Sequence, residues 1–184
     1  MKPTHELEEE HQAILSMIRV LARISNRLEA GEAVDAAHIE RAVDFIRGFA
    51  DGCHHAKEEA ALFPAMEKAG IPREGGPLAA MLDEHAEEGS FVNALAESAA
   101  EAASGGEGAS RRFAENVRSY GALLSQHIFK ENSVLYPMAD ARLSAADQDK
   151  LARRFAEVEE EVVGRDRYRR YLELLESMKK AYGL

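Results

Sequence analysis

The amino-acid sequence predicts an all-α protein: an up-down-up-down four-helix bundle carrying an additional C-terminal helix. Three observations predict it. The composition is rich in Ala, Glu, Leu and Arg, only 7% aromatic and low in proline, with no long Val/Ile/Thr alternation. Apolar residues recur at three-four spacing through several long segments. An eleven-residue phrase also occurs twice, as His54-His55-Ala56-Lys57-Glu58-Glu59-Ala60-Ala61-Leu62-Phe63-Pro64 and as His127-Ile128-Phe129-Lys130-Glu131-Asn132-Ser133-Val134-Leu135-Tyr136-Pro137. Both copies fit H-x-x-K-E-x-x-x-L-[FY]-P.

The first helix is expected from Thr4 to Arg27 or Leu28. Thr4 serves as N-cap, acidic residues sit at the positive end of the helix dipole, and Leu7, His11, Ile14, Ile18 and Leu21 form one stripe. The second starts near Asp35 and continues to about Ala69, with Ile39, Val43, Ile46, Ala50, His54, Glu58 and Leu62 on one face. Pro64 predicts a kink or a break in it, because its ring crowds the carbonyl four residues back. The stretch from Gly70 to Pro77 is the clearest loop. The third helix runs from about Pro77 to Ala103, with Leu78, Met81, Leu82, His85, Val92 and Leu95 inward. A flexible turn at 104–108 precedes the fourth, from about Ala109 to Ala139, with Phe113, Val117, Tyr120, Leu124, His127, Glu131 and Leu135 inward. A fifth covers roughly Ser144 to Tyr182 with a break at Gly164. It carries no histidine and reads as packing outside the bundle or against another subunit, not as part of the site.

The two phrases are offset by 73 residues at every matching position, and Glu10-His11 matches Glu84-His85 at an offset of 74. The first helix pair is therefore a duplicate of the second. Two antiparallel pairs joined by short loops make a four-helix bundle. Residues 1–142 are expected to form it and residues 143–184 a helical extension. The pseudo-two-fold axis would pass between two sets of like residues, the layout a two-metal centre needs.

Helix phase sorts the seven histidines. His11, His54, His85 and His127 each continue an apolar stripe and face inward. His5 and His55 line up with polar residues, so His54 is chosen over His55 and Glu58 over Glu59. His38, at the start of the second helix, reads as surface or cap. Glu58 and Glu131 lie one turn after His54 and His127 on the same inner face. A buried carboxylate without a partner is costly or becomes protonated, and no Arg or Lys shares the inner stripes. Two metal ions would neutralise the pair. The candidate ligands are His11, His54, Glu58, His85, His127 and Glu131. Histidine and carboxylate without thiolate suit iron, manganese or zinc. Two carboxylates able to bridge favour iron, with manganese and zinc ranked behind it.

Several neighbours read as scaffolding. Tyr120 is expected as a core aromatic and Cys53 as a small structural residue. Glu8, Glu10 and Glu88 read as solvated helix charge, and Lys57 and Lys130 as cover for the bundle surface.

The order H…HxxxE…H…HxxxE, with LFP and LYP after the acids, resembles the hemerythrin-like, HHE cation-binding domain over roughly residues 5–140. The resemblance implies a non-haem di-iron centre inside the bundle, oxo- or hydroxo-bridged, with Glu58 and Glu131 bridging. His11 and His54 would serve one iron, and His85 and His127 the other. The chain departs from the oxygen-carrying hemerythrins at Gly89, where they have a further histidine. It departs again in the four-residue spacing from His127 to Glu131, where their last carboxylate is an Asp five residues on. The resulting two-plus-two histidine pattern resembles proteins implicated in repairing oxidant- or nitric-oxide-damaged iron centres, and others that react with peroxide.

The remaining expectations are about class and setting. A net charge of −10 with no basic face argues against a nucleic-acid partner. No apolar run reaches membrane-spanning length, no signal peptide is visible, and a single cysteine excludes a disulfide framework, so the cytoplasm is the expected location. The functional expectation is binding or reduction of a small diatomic or peroxide oxidant (O2, H2O2 or NO), in stress defence or iron-centre repair. The alternatives are a non-catalytic O2 or iron sensor or storage module, and a structural bundle with one adventitious zinc.

Overall fold

The computed structural model describes residues 2–106 and 108–184. Met1, and Glu107 within the turn expected at 104–108, lie outside the described residues. Among the described residues there are six helices and no strand. The helices are α1 (Pro3–Glu29), α2 (36–68), α3 (Pro77–Ala103), α4 (109–142), α5 (Ala145–Val162) and α6 (Arg165–Ala181). Neighbours α1–α2, α2–α3, α3–α4 and α4–α1 all touch, which closes a four-helix bundle. Helices α5 and α6 lie against α1 and α2.

The local causes are mostly those expected. The Asp35 side chain accepts from Ala37 N and starts α2. Gly31 and Gly70, at φ of 75° and 89°, take the left-handed conformation just past α1 and α2. Gly164, at φ 77°, separates α5 from α6. Thr4 is not the N-cap: α1 begins one residue earlier at Pro3, and the Thr4 hydroxyl instead donates to Asp140 Oδ1 at 2.9 Å.

The expected kink or break at Pro64 is a different feature. Helix α2 runs through it, and the turn before it widens into a π-helical segment, Glu58–Leu62. The same widening, Glu131–Leu135, precedes Pro137 in α4. A wider turn relieves the crowding that the proline ring imposes on the carbonyl four residues back. A longer π segment, Ile46–His54, leads into the first phrase and has no counterpart in the second.

The core is divided lengthwise. A larger apolar cluster takes Ile14–Ile24 of α1, the first half of α2, the second half of α3 and the first half of α4, with Tyr171, Leu175 and Met178 of α6. A smaller one joins Leu7, Leu62, Phe63, Leu78, Met81, Leu135 and Tyr136 with Phe155 of α5. In every bundle helix the candidate ligands fall at the junction of the two clusters: His11 in α1, His54 and Glu58 in α2, His85 in α3, and His127 and Glu131 in α4. The polar layer is thus sealed above and below by apolar packing.

Helix α6 is seated by shape. A Cβ at Gly48 would lie 1.9 Å from the Tyr171 hydroxyl oxygen, so glycine is what admits the ring to α2. Phe45 and Phe49 meet Tyr171 edge-on at 5.7 and 6.2 Å between centroids.

Candidate metal centre

The structure brings His11, His54, Glu58, His85, His127 and Glu131 together in the layer between the apolar clusters. All six are buried, and both carboxylates are wholly inaccessible. Glu131 reaches one histidine from each half: Oε2 lies 3.1 Å from His11 Nε2 and Oε1 3.1 Å from His127 Nε2. Glu58 does the same, with Oε2 at 3.3 Å from His85 Nε2 and 3.7 Å from His54 Nε2.

The orientation of the four rings is set from outside. His11 Nδ1 pairs with Asn132 Oδ1 at 2.8 Å and His54 Nδ1 with Glu10 Oε2 at 2.8 Å. His85 Nδ1 pairs with Glu59 Oε1 at 2.7 Å, and His127 Nδ1 with Glu84 Oε2 at 2.9 Å. Each outer acceptor takes the Nδ1 proton, which turns Nε2 inward as the nitrogen available to a metal once it is deprotonated. Duplication is visible here too. Glu59 and Asn132 are the matching residues of the two phrases, and Glu10 and Glu84 each precede a histidine of the set.

Three of those inward nitrogens, on His54, His85 and His127, have no hydrogen-bond partner, and neither do Glu58 Oε2 or either oxygen of Glu131. Orphaned donors and acceptors at this depth are expensive unless something bonds them. Cations fit the donor set. Metal–nitrogen and metal–oxygen bonds of about 2.0–2.2 Å place adjacent ligand atoms roughly 3 Å apart, near the separations seen. Among the described residues, two buried groups have ligand atoms all within 4.8 Å of one another: His11, His54 and Glu131, and His55, Glu58, His85 and His127. A third cluster, Glu6, Glu10 and Glu159, surrounds the Lys57 ammonium and so already holds a cation.

Charge follows the same geometry. Burial alone would raise the Glu131 carboxyl, but the adjacent His11, His127 and His85 rings hold it well below the usual carboxylate range. Burial disfavours the charged form of His85, yet Glu131, Glu58 and Glu59 push it up to about 12. His127 is raised to about 9 against burial, chiefly by Glu131. His54 goes the other way, lowered by burial and by His11. Tyr136, the tyrosine of the second phrase, donates to Glu58 Oε1 at 2.8 Å, with its oxygen 3.3 Å from His11 Nε2. Burial, then Glu131 and Glu58, keep it protonated.

Several sequence expectations are corrected. His55 is not on a solvated face: it is buried and stacks on His85 at 4.0 Å between centroids. The reason is the π segment Ile46–His54. Each residue there advances less around the axis than in a 3.6-residue turn, so the phase drifts and both His54 and His55 arrive inside. Lys57 is not surface cover either. It is fully buried and bonds Glu10, Glu6 and Glu159 at 2.6, 2.7 and 3.0 Å. Lys130, its repeat partner, stays half-exposed and pairs with Glu84. Glu10 and Glu88 are buried, not solvated, while Glu8 is half-exposed.

The C-terminal extension also reaches the site's outer ring. Tyr168 donates to Glu10 at 3.0 Å and Glu159 meets Lys57. A signal for Lys57, Lys130, Glu10 and Glu84 was present in their recurrence in both halves. For His55 and Glu88 there was none. Cys53 is buried beside this network, which pushes its thiol up to about 12 through burial. Tyr120 is wholly buried as expected. His38 pairs with Tyr182 at 3.0 Å, away from the centre.

A helical bundle with paired inward His/carboxylate sets, each histidine oriented by an outer acceptor, defines a cation-binding domain. The family profile for the hemerythrin HHE cation binding domain matches residues 2–139, so the chain belongs to that family. No curated protein matches the chain. No helix among the described residues is long and apolar enough to cross a membrane.

Proposed function

We propose that the chain is a non-haem di-iron protein that binds or reduces a small oxidant such as O2, H2O2 or NO. His11, His54, Glu58, His85, His127 and Glu131 would hold the metals. The observation that carries the reading is the set of four imidazoles anchored through Nδ1, with Nε2 turned onto two buried carboxylates that each span both halves. Manganese and zinc share parts of this donor preference, but two carboxylates placed to bridge suit an iron pair best.

Iron, when bound, supplies the redox chemistry toward the small oxidant. The chain's own residues do the rest. The apolar clusters exclude water from the layer. Glu10, Glu59, Glu84 and Asn132 hold the imidazole tautomers. Tyr136, protonated beside Glu58 and His11, holds a proton and a hydrogen-bond donor at the edge of the site.

A second reading, a sensor without turnover, is favoured by one observation. His54 is linked through Glu10 to Tyr168 of α6 and to Lys57, which in turn meets Glu159 of α5. A change at the site therefore has a route of contacts to the C-terminal helices.

Anaerobic loading with ferrous iron, metal analysis and an optical spectrum after air test the di-iron reading. Two irons per chain and oxo-to-iron charge-transfer absorption are expected. One zinc, or no iron taken up, would sink it. Turnover of peroxide or NO then separates an enzyme from a sensor whose α5–α6 protection from hydrogen exchange changes on loading.

A further inference from the structure

Duplication makes the departures from symmetry informative on the outside of the bundle. In the first half, α5 lies across the first phrase. Beneath it Lys57 and Ala61, one turn apart on α2, are buried, and Glu159 of α5 accepts from Lys57 at 3.0 Å. The matching positions on α4 are Lys130 and Val134, and both are open: Val134 is 51% exposed and Lys130 half-exposed. The open face is also the more apolar one. Phe129, 68% exposed, stands where the first phrase has Ala56, and Val134 stands where it has Ala61.

The rest of that face lacks the charge that marks this chain elsewhere. Ser119, Ala122, Gln126, Phe129 and Ser133 are all exposed and recur at three-four spacing, the seam along which two helices pack. None is charged, although 30% of the chain is charged and its net charge is −10. Depletion of charge around an exposed aromatic side chain is the pattern of a surface that associates.

We infer that the outer face of α4 is an interface between two copies of this chain, packed as an antiparallel α4–α4 pair about a two-fold axis at Gln126. The inference goes beyond the metal reading and stands without it. A second copy fits this face for two reasons. The seam is self-complementary: about Gln126, Phe129 of each copy meets the small Ala122 of the other, and Ser119 meets Ser133. The rim is matched in charge as well, which two acidic chains need in order to approach. Helix α1 borders α4, with exposed Glu9 near its start and exposed Arg19 and Arg23 further along. An antiparallel pair sets the acidic end of α1 in one copy against the basic stretch of α1 in the other. A parallel pair would instead set α1 against α3, with Glu9 at the level of Asp83, its match in the repeat. His127 and Glu131 lie on the inner side of the same turns, so the two sites of the dimer back onto one helix pair. The seam is about 21 Å long at a rise of ~1.5 Å per residue. That is short for a standard interface of about 800 Å² per partner, so micromolar association is expected.

The test is sedimentation of the full chain from about 1 to about 100 µM, with circular dichroism to confirm folding. The natural protein should pass from monomer to dimer across the series. Phe129→Glu and Gln126→Arg both change exposed positions, and each should raise the dissociation constant by at least about tenfold. Cross-linking with a short bis-maleimide reads the orientation. Gln126→Cys should join to its own copy, while Ser119→Cys should join only when mixed with Ser133→Cys. The natural protein, whose single Cys53 is buried, gives the background. A chain that stays monomeric throughout would overturn the inference and leave the face to a different protein. A dimer unaffected by both substitutions would overturn it by putting the contact elsewhere. Self-joining of Ser119→Cys alone would overturn the antiparallel arrangement.

Discussion

Glu10 Oε2 lies 2.8 Å from His54 Nδ1, while Glu10 Oε1 accepts from Lys57 at 2.6 Å and from Tyr168 at 3.0 Å. One carboxylate thus orients a histidine of the centre, satisfies a buried ammonium and ties α6 to the bundle. Removing such an outer acceptor lowers metal affinity by about 10–100-fold in comparable sites. Glu10→Ala should fall in that range and also lower the melting temperature. Glu84→Ala, whose lysine partner is half-exposed, should lower affinity similarly with a smaller loss of stability. Equilibrium metal competition and thermal melts check both, and equal stability losses would contradict the contrast.

Glu58→Ala and Glu131→Ala should each abolish tight binding of two metals, since each carboxylate touches histidines of both halves. Glu59→Ala should still bind two, because Glu59 touches only the outer nitrogen of His85. Its affinity should nevertheless drop by about 10–100-fold as that ring loses its anchor. Metal content after gel filtration distinguishes them. Loss of both metals in Glu59→Ala, with retention in Glu58→Ala, would reverse the assignment of helix face.

Metal uptake should release protons. In the metal-free protein the His85 pKa is raised to about 12 and that of His127 to about 9, so both rings are protonated at pH 7. His54, lowered by burial, is already neutral. A metal ligand must be the neutral ring, so binding at pH 7 expels up to roughly two protons from this pair and affinity rises with pH. Above about pH 9 His127 no longer contributes and the dependence weakens. Calorimetry in buffers of different ionisation enthalpy measures the number. Absence of proton release at pH 7 would mean that His85 and His127 are already neutral before the metal arrives.

Lys57→Met should destabilise the fold. It leaves Glu10 buried without its cation, a change that costs about 3–5 kcal/mol for a fully buried pair. Glu6 and Glu159 are partly exposed and can be rehydrated, which places the expected loss near the lower end, about 3 kcal/mol. Lys130→Met, at a half-exposed position, should cost under about 1 kcal/mol. Denaturant unfolding of the metal-free proteins gives both values. A similar small loss for the two would show that Lys57 is not held by its three carboxylates.

Much of the fold and part of the site can be read from local pattern. The helices, their order and the inward direction of His11, His54, His85 and His127 follow from the 3.6-residue period, since a helix face is set by neighbours within a few turns. The repeat adds the pairing of halves, because a duplicated hairpin buries equivalent positions. These are properties of short stretches of chain, and the sequence alone determines them.

What the tertiary structure decided lies where the period changes or where partners come from distant segments. His55 turns inward because the π segment Ile46–His54 shifts the helix phase, an event the 3.6-residue rule does not contain. Lys57 is buried because Glu6, Glu10 and Glu159, from α1 and α5, converge on it and offset the cost of desolvating a charge. Glu88 looks like surface charge on α3 until His55 of α2 arrives opposite it. In each case the deciding contacts join residues far apart in the chain, so only the packed bundle determines them.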